Sequence, residues 1–288
     1  MTSLLEPVEA PVAVAAKRGR AHWWVLPPLL VVLLAAVYPL LRVFGEAATP
    51  EKWAEVLGSG QFRDALWRTV AIAVTSTLGA LVLGTFLAVV LAFVPFPGSG
   101  LVGRLIDTIL ALPSFLITLA FTFLYGSAGV LNVALGTEVN FLYTPAGVIA
   151  AEITFFTPFV VRPLLAAFAL LPRAQLDVAA SLGASPLRVL RSVVLPEAWP
   201  ALMAGGSLVL LLTLNEFGIV LFTGAKGVIT LPVLIYTRGI VTFDLPGAAA
   251  IATVQVVLSL GLYIVYRMIF ARLTSGRGGA DVAVEPAR

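Results

Sequence analysis

The 288 residues include no cysteine and a single histidine, His22. Without thiols there are no disulfides and no thiolate metal sites. One histidine in an N-terminal flank leaves no His-Glu-x-x-His zinc motif. Charge is scarce as well: Asp, Glu, Lys and Arg make up 11% of the chain, against roughly 25% in soluble domains. No G-x4-G-K-[ST] run occurs, and Gly224-Ala225-Lys226-Gly227 lacks both the spacing and the hydroxyl. The chain therefore has no P-loop for hydrolysing nucleotide by itself.

What it has instead is apolar length. The hydrophobic fraction is 60% and the mean hydropathy +1.03. Six apolar stretches stand at about 23–44, 69–94, 105–125, 145–170, 198–223 and 245–271. Each exceeds the roughly 20 residues that a helix needs to cross a bilayer. Backbone polar groups in lipid must be satisfied within the segment, and no barrel-like alternation is present. The expectation is an all-α integral membrane protein of six transmembrane helices, surrounded by lipid bilayer.

Residues 1–22 read as a disordered tail ending in a basic cluster (Lys17, Arg18, Arg20). That cluster before an apolar run resembles a secretory signal, but the run from Trp23 is too long, so it is expected to be kept as the first helix. Residues 273–288 form a second tail. With the N-terminus in the cytoplasm, Lys17, Arg18, Arg20, Arg104, Arg162, Arg173, Arg188, Arg191, Arg267, Arg272, Arg277 and Arg288 lie inside. Arg42, Lys52, Arg63, Arg68, Lys226 and Arg238 lie outside. This excess of basic residues predicts both termini in the cytoplasm. It also accounts for the basic pI without nucleic acid.

The longest inner loop, 171–197, contains RAQLDVAASLGASPLRVLRSVVLPEAWP (173–200). Leu176, Ala179, Ala180 and Leu182 have helical spacing. Gly183 breaks the helix, as glycine adopts left-handed angles cheaply. Ser185 can cap a second helix with Pro186 in its first turn, and Leu187, Leu190 and Val194 share one side. An apolar elbow outside the bilayer needs cover, either from headgroups or from a protein.

The run Asp177-Val178-Ala179, three residues, Gly183, nine residues, Val193, one residue, Leu195-Pro196 resembles the EAA loop of binding-protein-dependent ABC permeases. That pattern reads E-A-A, x3, G, x9, I, x, L-P. Asp stands for Glu, Val for the first Ala and Val for Ile. The resemblance implies a type I importer permease fold over about 23–272, and an elbow that docks in a groove of a separate ATPase subunit. Asp177, Ala179, Gly183, Leu187 and Leu195 would then carry the coupling. It further implies an extracytoplasmic solute-binding protein and a second permease subunit, either a copy or a related chain. This chain would bind no cofactor, since ATP and magnesium sit on the ATPase, and its place would be the bacterial inner membrane. Asn215-Glu216-Phe217-Gly218 and FTGAKGVITLPVLIY (222–236) resemble the branch serving 2-aminoethylphosphonate, iron(III), polyamines and thiamine. LYGSAGVLN (124–132) and AEITFFTPFVVRPLLAAF (151–168) are similar to 2-aminoethylphosphonate permeases.

Four ionisable residues fall within spans: Asp107, Glu152, Arg162 and Glu216. Facing lipid at mid-depth, each would cost about 2.5–3.5 kcal/mol or more. Asp107 and Arg162 lie near helix ends and are expected to snorkel. Glu152 and Glu216 fall at similar depth, with Asn215 beside one. They either line a path for a positively charged group or join helices by hydrogen bonds. No metal site is expected. Two rival classes stay open: an intramembrane enzyme using the two glutamates, and a small secondary transporter. The second is disfavoured because no glycine-broken helix pair is evident.

Overall fold

The computed structural model describes residues 23–47, 49–137, 141–225 and 227–275. The expected tail at 1–22, the expected C-terminal tail from 276 onward, and Lys226 lie outside the described residues. Every described element is helical. The chain divides into two compact units, Met1–Val43 and Phe44–Arg288. In the first, a short 3-10 turn at Trp23–Val25 leads into α1, Leu26–Glu46, whose last residues pass the boundary.

The second unit runs through α2 (Pro50–Gly58), α3 (Gly60–Phe93), α4 (Ser99–Ala111), α5 (Ser114–Tyr125), α6 (Val130–Leu135), α7 (Pro145–Ala169) and α8 (Arg173–Ser181). Next come α9 (Pro186–Val189), a π turn at Leu190–Val194 and α10 (Leu195–Glu197). The chain ends with α11 (Trp199–Leu214), α12 (Gly218–Thr223), α13 (Leu231–Tyr236), a second π turn at Thr237–Val241, and α14 (Leu245–Ser275). Among the described residues five helices are long and apolar enough to cross a membrane. The number is six if the bent pair Pro186–Glu197 and Trp199–Leu214 counts as one span.

Helix ends depart from the hydrophobic runs for local reasons. Ser59 Oγ accepts the Phe62 amide at 3.0 Å, so α3 starts at Gly60 and not near 69. Its added turns place Phe62 and Ala65 against Val56, Leu231, Leu234, Ala250 and Ile251. The run expected as one helix at 105–125 is divided between α4 and α5. Pro113 donates no amide and holds Leu112 extended at ψ 142°. The run expected as one helix at 198–223 is divided too, ending at Leu214 and restarting at Gly218. Two runs expected as single helices are thus each broken, at Leu112–Pro113 and at Asn215–Phe217.

The core is built where α3, α7 and α11 pack on one another. Ala80, Ala88, Phe156, Val160, Leu164 and Val209 are buried there. Gly84 marks a close approach, since a Cβ on it would lie 2.7 Å from Val160 Cβ and 3.2 Å from the Thr157 carbonyl. Polar side chains join the helices as well: Thr77 Oγ1 and Thr213 Oγ1 are 3.3 Å apart, and Thr69 Oγ1 accepts the Leu231 amide at 2.8 Å. Gly84→Val should overpack this seam and cost about 1–3 kcal/mol, read as a lower melting temperature in detergent with a native-like helical signal.

The α2 end is joined by charge. Lys52 Nζ lies 2.8 Å from Glu55 and 3.3 Å from Asp244, and Arg238 Nη1 lies 3.0 Å from Glu55 and 3.1 Å from Asp244. The bond from Lys52, then that from Arg238, holds Glu55 below its ordinary value. Burial pushes Asp244 upward, but the Gly247 amide and the Lys52 ammonium outweigh it and hold the group low. Glu55, then Asp244, raises Lys52. Depressed carboxylates stabilise above their unfolded values and lose that contribution as pH falls through the folded ones. A raised lysine loses its contribution as pH rises through its folded value. The clamp should therefore hold α2 across neutral pH and release it in acid below the ordinary carboxylate range. Faster amide exchange in 50–58 at low pH, absent in Arg238→Gln, checks this.

Candidate functional site

The elbow forms because α8 ends in a left-handed residue. Gly183 has φ +73°, its amide donates to the Ala180 carbonyl at 2.9 Å, and the Ala184 amide donates to the Ala179 carbonyl at 3.1 Å. This pair of bonds is the Schellman arrangement. Ser185 then stands extended before Pro186, but its hydroxyl makes no capping bond, so the cap expected of it is backbone geometry alone. Pro196 offers no amide and its ring crowds the carbonyl four residues back. The turn before it widens, and the Leu195 amide donates to Leu190. The Pro186–Glu197 segment meets Trp199–Leu214 at 67°.

Two apolar clefts follow. One, of about 550 Å³, lies between α8 and the segment after it, with Val178, Ala179, Leu182, Val193 and Pro196 among its walls. The other, of about 570 Å³, has Asp177, Ala180 and Leu187 facing Phe93 and Val94 at the end of α3. Leu176, Val189 and Leu190 pack on the core and Val194 is buried within it, so the inner side of the predicted stripe is a fixed root. Leu195 turns towards Leu81, Phe86 and Val89 of α3; it is part of that root and not of the tip. The tip carries Val178, Leu182 and Leu187, exposed by 58%, 82% and 56%. Leu182 was absent from the residues chosen for coupling; its place beside Gly183 was the available signal.

The intramembrane charges are arranged in three ways. Asp107 and Arg162 pair with each other, and Arg162 Nη2 donates to the Gly103 carbonyl at 3.0 Å. They join α4 to α7, which replaces the expected separate snorkelling. Glu152 on α7 is fully buried and neither carboxylate oxygen has a hydrogen-bond partner; Ser76 Oγ on α3 is buried and likewise unpartnered. Ser76 and Glu216 are the polar neighbours of Glu152, so the two glutamates do come within electrostatic range.

Glu216 sits in the break of α11. Its Oε1 accepts from the Ile219 amide at 2.8 Å and from Ser114 Oγ at 3.0 Å. It thereby caps α12 and ties it to the start of α5. Asn215 is exposed, and its Nδ2 donates to Leu211 at 2.7 Å. The carbonyl of Leu214, released by the break, accepts from Gln255 Nε2 of α14 at 2.7 Å. Ser76, Ser114 and Gln255 carry no local motif, and only the packing singles them out. Of the basic residues placed outside, Lys52 is held in the clamp, while Arg63 and Arg68 make no ion pair among the described residues.

Comparison with known proteins places this geometry. The chain is 49% identical over 94% of its length, and 97% of the relative's, to PhnU of Salmonella paratyphi A, provisionally named a 2-aminoethylphosphonate transport system permease protein. It is 31% identical over 80% of its length, and 84% of the relative's, to the sulfate transport system permease protein CysT of Salmonella typhimurium. The fold resembles that of a bacterial alginate ABC transporter solved with a pentasaccharide-bound periplasmic protein, with TM-score 0.75 and 21% identity over 88% of this chain and 94% of that one. Residues 80–275, which include the elbow, both glutamates and Gln255, match the binding-protein-dependent transport system inner membrane component family, and the chain belongs to it.

Proposed function

We propose that the chain is the membrane-spanning subunit of an ATP-driven importer of 2-aminoethylphosphonate in the bacterial inner membrane, with both termini in the cytoplasm. A separate ATPase carries ATP and magnesium. A solute-binding protein delivers cargo at the end of the bundle bearing α2, and a second permease subunit completes the pore. The observation that carries this reading is the elbow, an apolar tip at Leu182 and Leu187 held on a rigid root. The likeness to PhnU over nearly the whole chain supports the substrate.

The work of such a subunit is mechanical. When the ATPase subunits close, the elbow moves with them, and its root displaces the end of α3 and the bent α11. A packed core passes such movement on because it is stiff and has discrete arrangements. The break at Asn215–Phe217 gives α11 a place to change angle. Glu152 and Glu216 place two carboxyl groups near that level, both enclosed in this conformation, which an ammonium group would reach once the helices shift.

Two experiments test this. A tagged chain should bring down a cassette ATPase in mild detergent. A Cβ on Gly183 would meet nothing within 4 Å, so Gly183→Val acts through its left-handed angle alone, at about 1–2 kcal/mol. That should weaken ATPase capture and uptake about tenfold, whereas Gly183→Asn, tolerant of that angle, should retain both. Equal capture by all three proteins would remove the elbow from the mechanism. The second experiment separates charge from bracing. Glu216→Gln keeps an acceptor for Ile219 and Ser114, so assembly and melting temperature should hold while aminoethylphosphonate uptake falls. Glu216→Leu leaves both donors unsatisfied, at about 1–3 kcal/mol each, and should lower stability too. Normal uptake by the glutamine variant would make Glu216 a brace only.

A further inference from the structure

A cavity of about 350 Å³ opens between α3 and the first turns of α7, lined by Asp64, Trp67, Arg68, Ile72, Thr75 and Ile149 among others. Asp64 and Arg68 are four residues apart, which makes them neighbours on one helix face. Even so, neither makes an ion pair or side-chain hydrogen bond among the described residues. Lys52, Glu55, Arg238 and Asp244, by contrast, are paired with one another. Trp67, placed between the two in sequence, is 72% exposed.

Two buried polar groups lie further along the same two helices, although neither lines the cavity. Thr75 adjoins Ser76, and Ile149 lies one turn before Glu152. Those are the buried hydroxyl and carboxyl without hydrogen-bond partners on the same two helices.

We infer that this cavity is an outer binding site for a zwitterion, one carrying an ammonium and an oxyanion on a short methylene link. Asp64 takes the ammonium, with the Trp67 ring supplying a cation–π face. Arg68 presents its planar fork to the oxyanion, a phosphonate being well matched. A lone anion would be opposed by Asp64 and a lone cation by Arg68, so the pair favours a ligand with both charges. The inference rests on the importer reading and deepens it, giving the permease itself a share in selecting aminoethylphosphonate. The cavity lies beside the start of α3, while the elbow packs at its far end, so the site faces the side where cargo arrives.

The test uses the complete transporter, with permease, ATPase and binding protein, in proteoliposomes. Uptake of labelled 2-aminoethylphosphonate is measured with loaded binding protein in excess, alongside basal ATPase activity and capture of the binding protein. Asp64→Asn and Arg68→Gln should each lower uptake about tenfold with basal ATPase activity and capture unchanged. Exchanging the two, Asp64→Arg with Arg68→Asp, should recover part of the loss. Arg63→Gln, outside the cavity, should behave as wild type. Wild-type uptake by both single variants overturns the site and leaves the importer reading standing. Loss of binding-protein capture in parallel with uptake overturns it as well, because the residues then serve docking. A wild-type complex that imports no aminoethylphosphonate overturns the functional reading and this site with it.

Discussion

Backbone groups surrounded by apolar surface must find partners inside the protein, and the break in α11 is made where side chains supply them. Leu214 loses its helical partner, and Gln255 of α14 reaches across to its carbonyl; the restarted helix exposes amides, and Glu216 accepts that of Ile219. The same carboxylate holds Ser114 at the start of α5, which exists because Pro113 cut the helix before it. One glutamate therefore settles two irregular places at once. Without such partners the break would leave the Leu214 carbonyl and the Ile219 amide unsatisfied.

Close packing then converts local bends into a device. Gly84 lets α3 and α7 touch along a seam that a larger residue would separate, and the elbow grows from the same core through Leu176, Leu190 and Val194. Its tip is apolar and exposed while its root is buried. The tip is thereby joined to the packed core of α3, α7 and α11. The opposite end is arranged differently, with a neutralised four-charge clamp beside a cavity whose charges are unspent.

The two glutamates differ because their surroundings differ. Glu216 spends one oxygen on two donors and is needed for shape. Glu152 spends none and is fully enclosed with Ser76. A buried acid is expensive unless its polar atoms are satisfied.

Much of this was legible in the residues themselves. Apolar runs longer than a bilayer crossing required helices, whatever their packing, and the spacing from Asp177 through Gly183 to Leu195-Pro196 located the elbow and its left-handed hinge, because glycine alone adopts φ +73° freely. What tertiary structure decided was everything that depends on contacts distant in sequence. Asp107 found Arg162, Gln255 found Leu214, and Ser114 found Glu216. A hydropathy pattern reports how long a helix can be. It does not report where a carbonyl will be caught by a side chain from another helix, and that capture is what allows a span to break.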